Sequence, residues 1–148
     1  MFLLDTNVIF ELRVPKRANI NVLAWASSQP VAAQFLSAIT VFELELGVSK
    51  KERKDAAQGA VLRAWFDGQV LPQFVGRVLT FDQAVALRCA TLHIPDPQAE
   101  RDAVIAATAL VHGMTVVTRN TDDFKATGVP LLNPWEHSLC IGKTITLS

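Results

Sequence analysis

Phe2, Leu3 and Leu4 make a run that is apolar at every position and stops abruptly at Asp5-Thr6-Asn7. A strand with one wet face alternates apolar and polar side chains. A short run without alternation is dry on both faces, which is how a central strand of a parallel sheet reads. The Asp-Thr-Asn behind it supplies turn and helix-capping chemistry, so a helix is expected from about Val8. The same grammar recurs down the chain. Residues 33–37, 78–79, 115–118 and 131–132 read as further strands, and residues 21–28, 41–53, 56–71, 81–93 and 99–112 as helices. Thr40 is placed to cap the 41–53 helix, Pro95 and Pro97 stop the 81–93 segment, and Gly113 closes the 99–112 helix. A short helix is expected over 122–126, before Gly128. Strands alternating with helices imply an α/β fold, with a mostly parallel sheet covered on both faces and right-handed crossovers.

No linker, repeat or low-complexity stretch divides the 148 residues. One domain is expected over residues 1–135, followed by a tail, 136–148. Within the tail, 141–147 alternates weakly and reads either as an edge strand or as disorder. Half the residues are apolar, enough for a substantial core. A formal charge of zero argues against a chain that coats nucleic acid nonspecifically, but a groove needs only local positive charge. Cys89 and Cys140 are too few for a disulfide framework and lack C-x-x-C spacing, so they read as thiols of a reducing cytoplasm. His93, His112 and His137 share no metal-ligand spacing. The apolar start is too short for a signal peptide. The longest apolar stretch, around residues 103–111, falls short of the about 20 residues that span a bilayer. A soluble, cytoplasmic protein is expected.

In open α/β sheets, functional groups collect beyond the carboxyl ends of the strands. Asp5 directly follows the first strand, and Asn120 and Asp123 follow the fourth. Glu43 lies early in the helix after the second strand, and Asp102 lies in the first turn of the 99–112 helix. Each has a plain structural reading: Asp5 as a helix cap, Asp102 as a partner of the helix dipole, Asp122 and Asp123 as a turn. Gathered at one edge, however, carboxylates repel and do not all stay ionised without compensation. A divalent cation compensates them. Magnesium takes hard oxygen ligands and keeps waters, so a few carboxylates suffice. It polarises a phosphate oxygen and activates a bound water for attack. Glu45 rivals Glu43 for a place in such a set, and spacing does not separate them. Ile39, Leu46 and Gly47 share a face with Glu43, while Val41, Phe42 and Val48 border Glu45. The reading requires Asp5 and Asp102 to meet, and to have no permanent basic neighbour from the same chain. Arg13, Lys16, Arg17 and Arg119 lie near the expected edge as candidates for phosphate contacts. The run Lys50-Lys51-Glu52-Arg53-Lys54 reads first as a solvated helix end.

Four stretches taken together resemble the PIN domain, and within it the bacterial VapC-like toxins of the FitB branch, over residues 2–135. They are Leu3-Leu4-Asp5-Thr6-Asn7; Leu36-Ser37-Ala38-Ile39-Thr40-Val41-Phe42-Glu43-Leu44 with Gly47; Asp102-Ala103-Val104-Ile105-Ala106-Ala107-Thr108-Ala109; and Thr118-Arg119-Asn120-Thr121-Asp122-Asp123-Phe124 followed by Asn133-Pro134-Trp135. The resemblance implies an α/β/α sandwich and a metal-dependent endoribonuclease. Asp5, Glu43 and Asp102 match the acids that hold Mg2+ or Mn2+, with Glu43 rather than Glu45 at the second motif. Asn120 stands where many members carry an acid, so Asp123 is the candidate fourth catalytic acid and a second metal site is weakened. Thr6 and Thr118 would orient these groups, and Arg13 and Arg119 are the preferred phosphate contacts. The resemblance also implies an RNA substrate, a homodimer, and a cognate antitoxin whose cationic side chain enters the acidic pocket in place of metal. The apolar stretches at Leu23–Trp25 and Leu62–Phe66 would serve the core or such surfaces.

Other α/β readings lack their residues. A haloacid-dehalogenase-like phosphatase needs a second Asp where Asn7 stands, and a response-regulator receiver needs an acidic pair near the first strand and a lysine after the last. No glycine-rich dinucleotide or P-loop motif occurs. A catalytically inactive PIN-like binding module shares the scaffold and is the principal alternative. A structure-specific DNA nuclease would need inserted helices for which the chain has no room.

Overall fold

The computed structural model describes residues 1–137. The 141–147 segment and Cys140 lie outside the described residues. Five strands, β1 (Phe2–Leu4), β2 (Gln34–Ser37), β3 (Val78–Leu79), β4 (Thr115–Val117) and β5 (Leu131–Leu132), form one sheet in the order β3-β2-β1-β4-β5. Every pairing is parallel. β1 is central, with Leu3 opposite Phe35 of β2 and Leu4 opposite Val117 of β4.

Strand alternation sends successive side chains to opposite faces. Leu4, Leu36 and Val117 enter one core, with Val8, Val22, Trp25, Leu44, Val48 and Phe66. Helices α1 (Thr6–Glu11), α2 (Ile20–Ser28), α3 (Ala38–Lys54), α4 (Ala56–Trp65) and the one-turn α5 (Leu71–Gln73) belong to this side. Leu3 and Val116 enter the other core, with Ile105, Ala106, Ala109, Met114 and Phe124, beneath α6 (Gln83–Leu92) and α7 (Glu100–His112). The result is an α/β/α sandwich with a wholly parallel sheet among the described residues. Both faces of β1 are dry, as its unbroken apolar run requires. α7 buries Ala103, Ala106, Ala107 and Ala109 completely. Those small side chains let it lie close to the sheet and, through Ala103 and Ala107, against Val85 and Cys89 of α6. It closes at Gly113, whose φ of 66° is the left-handed cap that a residue without a Cβ adopts freely.

Two boundaries differ from the sequence reading. α3 starts earlier, because Ser37, still extended at the end of β2, takes the cap and accepts from the Ile39 N–H at 3.2 Å. Thr40 therefore falls inside the helix, fully buried, with its hydroxyl unpartnered. The expected 56–71 helix stops at Trp65 and continues as a π-helical turn over Phe66–Val70. The wider turn brings the adjacent bulky pair Trp65 and Phe66, and then Val70, into the same core. Where α4 crosses α3, Gly59 is buried so tightly that a Cβ there would lie 2.3 Å from the Glu52 Cα. Trp25 and Phe66 are core residues, with Leu23 and Leu62 half-buried beside them. No described helix is long and apolar enough to cross a membrane.

Candidate active site

The site grows from the carboxyl end of β1. The Asp5 N–H extends the β1–β4 ladder by donating to the Val117 carbonyl at 2.9 Å. Its side chain caps α1, Oδ1 accepting from the Thr6 N–H at 2.7 Å. The other oxygen, Oδ2, accepts from the Thr118 hydroxyl at 2.8 Å and from Asn7 Nδ2 at 3.4 Å. Capping and a role in the pocket are therefore not alternatives for Asp5, because Oδ1 accepts from both the Thr6 N–H and Arg101 while Oδ2 is held by Thr118 and Asn7. Thr118, just past β4, is fully buried. Its hydroxyl donates to Asp5 and accepts from Asn7 Nδ2 at 3.2 Å and from the Asn120 N–H at 3.0 Å. A hydroxyl has one hydrogen and two lone pairs, so all its capacity is used.

Glu43 projects from α3 toward the same place, where its Oε1 accepts from the Thr6 hydroxyl at 3.2 Å. Glu45 does not: it is exposed and paired with Arg63 at 2.6 Å. Geometry thus separates the two glutamates that spacing left open. Asp102 joins from the first turn of α7.

Arg101, the residue beside Asp102, ties these acids together. Its Nε donates to Glu43 Oε2 at 2.5 Å and its Nη1 to Asp102 Oδ1 at 2.9 Å. Its Nη2 donates to Asp5 Oδ1 and, at 3.2 Å, to the Thr6 hydroxyl. The side chains of Asp5, Asp102, Glu43 and Arg101 are 1%, 15%, 27% and 32% exposed respectively, so the cation lies nearest solvent. Burial works against the guanidinium charge, but Asp5 and Glu43 outweigh it and hold Arg101 above its ordinary value. Burial pushes the Asp102 carboxyl up; Arg101 offsets part of this, while the negative charges of Asp123 and Asp5 add to it. Asp123, exposed in a 3-10 turn over Thr121–Thr127, is thus close enough to act on Asp102 electrostatically.

Other singled-out residues spread further. Asn120 reaches the cluster through its backbone N–H on Thr118. Arg119 is exposed, its N–H on Asn7 Oδ1 at 3.3 Å and its guanidinium 5.2 Å from the Trp135 ring centre. Arg13 lines a groove between α1, α3 and α4 with Phe10, Lys51 and Val61. Sequence reasoning missed Arg101 altogether. A signal was available: a cation in the first turn of a helix opposes the helix dipole, so an arginine there implies an anionic partner.

The donor set suits a hard divalent cation, since it is made of carboxylate oxygens from three elements held by hydroxyl and backbone donors. Three carboxylates facing one guanidinium also leave two negative charges uncompensated. As the side chains stand, however, no three acidic, histidine or cysteine groups among the described residues are close enough together to ligate one ion. Arg101 fills the space between them.

The PIN domain family model matches residues 2–130. The chain belongs to the PIN domain family. This PIN domain is similar to the VapC ribonuclease Y4jK of Sinorhizobium fredii, with 40% identity over 143 residues covering 92% of this chain and 99% of that one. It is similar to Toxin FitB of Neisseria gonorrhoeae, with 41% identity over 140 residues covering 91% of this chain and 99% of that one. The crystal structure of FitAcB from Neisseria gonorrhoeae superposes with a TM-score of 0.83 at 41% identity, over 92% of this chain and 99% of the other.

Proposed function

We propose that this PIN domain is a divalent-metal-dependent endoribonuclease serving as the toxin of a toxin–antitoxin pair in the cytoplasm. The observation that carries the reading is convergence. Asp5 from β1, Glu43 from α3 and Asp102 from α7 address a single positive group, and they leave the pocket negatively charged around it. The ribonuclease and toxin names of relatives at 40% and 41% identity support the substrate class and the role.

Asp5, Glu43 and Asp102 would hold Mg2+ or Mn2+, which supplies charge to a phosphodiester oxygen and lowers the pKa of a bound water. The chain's own residues prepare the place. Thr118 and the Thr6 N–H fix both oxygens of Asp5, so a buried carboxylate is aimed without rotamer freedom. The Thr6 hydroxyl steadies Glu43. Asp123, at the rim, adds negative charge as the fourth acid, and Arg119 stands beside the strand end as a phosphate contact. Arg13, further off, would meet the RNA backbone or a partner along its groove. A cognate antitoxin would supply a cationic side chain to these acids, and a homodimer is the expected assembly.

Arg101 favours one rival, an inactive PIN-like module whose acids are permanently neutralised from within. Its partial exposure argues against permanence. RNA cleavage decides between the two. The free chain, separated from any antitoxin, should cut RNA in Mg2+ or Mn2+ and stop in chelator. Asp5→Asn should lose at least about a hundredfold in rate with an unchanged circular dichroism spectrum. No metal-dependent cleavage by the wild-type chain, or full activity in Asp5→Asn, selects the binding module or removes the assignment of Asp5.

A further inference from the structure

Arg101 places a positive charge where three acids and a helix N-terminus meet. Its Nε, Nη1 and Nη2 address Glu43, Asp102 and Asp5, and Nη2 also reaches the Thr6 hydroxyl. We propose that Arg101 is the pocket's resident cation and competes with the divalent ion, which enters only as Arg101 swings out. The proposal rests on the reading above only in taking Asp5, Glu43 and Asp102 as the ion's ligands.

Three observations lead there. First, the oxygens that would face an ion are the ones the guanidinium now occupies, and the acids are too far apart to share an ion while it stays. Two like charges side by side among the same ligands repel, most strongly at the buried Asp5 end of the cluster. Second, Arg101 is able to leave. It is the most exposed member of the cluster, it springs from the first turn of α7, and its long stem carries the charged head into water without unfolding the backbone. Third, among the described residues it is held by the three acids and by a single hydroxyl, that of Thr6 at 3.2 Å. A cation in a helix's first turn is unfavourable against the dipole, so neutralising the acids with metal removes the reason for the arginine to remain. The two negative charges left uncompensated still draw an ion toward the closed pocket. The metal-free chain is therefore braced but blocked, and its apparent metal affinity is lowered by the fraction of time that Arg101 spends outside.

Calorimetric titration of Mn2+ into the full chain, freed of antitoxin, tests this with wild type, Arg101→Ala and Arg101→Lys. Arg101→Ala should bind Mn2+ at least about tenfold more tightly than wild type. Arg101→Lys should fall between them, because an ammonium keeps the charge but cannot span three carboxylates with a planar fork. Without metal, Arg101→Ala should melt below wild type, and Mn2+ should raise its melting temperature by the larger increment. Equal or weaker Mn2+ binding by a folded Arg101→Ala overturns the proposal, as does the absence of Mn2+ binding in every form. If Arg101→Ala does not fold without metal, Arg101→Lys decides alone: tighter binding supports the competition and unchanged binding overturns it. RNA cleavage is scored separately. Tighter Mn2+ binding without cleavage keeps the competition and removes the nuclease reading, whereas cleavage with unchanged Mn2+ binding does the reverse.

Discussion

Replacing Thr118 by valine isolates what one hydroxyl contributes to the acid pocket. Valine keeps the branched shape and fills the same space, so no cavity opens. What is lost is the donor to Asp5 at 2.8 Å and the acceptor for Asn7 and Asn120 at 3.2 and 3.0 Å. A hydrogen bond to a buried carboxylate contributes about 1.5–3 kcal/mol, and stranding a dry donor costs about 1 kcal/mol or more. Asn120 is exposed and its N–H can turn to water, but half-buried Asn7 has less choice. Thr118→Val should therefore destabilise the metal-free chain by about 3 kcal/mol. Urea unfolding at neutral pH should show this as a lower midpoint at unchanged slope, since the surface exposed on unfolding is the same. Thr118→Ser, which keeps the hydroxyl and loses a methyl group, should cost only about 1 kcal/mol. The reasoning is refuted if valine lies within about 0.5 kcal/mol of wild type, or if serine costs as much as valine.

Glu43→Gln should lose RNA cleavage, whereas Glu45→Gln should keep it with a urea midpoint close to that of wild type, because the Glu45 pair with Arg63 lies at the surface. Parallel cleavage and urea assays read both, and the reverse pattern would exchange their assignments. Gly59→Ala should lower stability by about 2–3 kcal/mol, since its Cβ meets Glu52 backbone that moves only if α3 and α4 part. A melting temperature equal to wild type would show that the crossing is looser than described.

Much of the fold was legible because the physics was local. An unbroken apolar run marked β1 as dry on both faces, β-branched residues marked β4, and Gly113 marked the end of α7. The place of Asp5 at the edge where the acids gather was legible because it directly follows a strand that reads as central. The boundary of α3 was less legible. Ser37 and Thr40 are both good caps, and the choice fell to the residue already extended by its place in β2. The π-helical turn after Trp65 answers to a core contributed by several elements, which one helix's pattern does not encode. Glu43 and Glu45 have equivalent local settings, and distant partners tell them apart: Arg63, 18 residues from Glu45, and Arg101 and Thr6, 58 and 37 residues from Glu43. Arg101 itself was passed over because an arginine next to an acid near a helix start resembles ordinary surface. Its conflict with the helix dipole was the overlooked clue.

The central place of β1 also settles when the chain acquires its pocket. Asp5 precedes its hydroxyl donor by 113 positions and Arg101 by 96 positions. Until the ribosome has delivered β4, the opening strand lacks one neighbour and its acid has no fixed direction. A polypeptide ended before β4 thus carries the ingredients without the assembly, and the pocket cannot exist until Thr118 has been made.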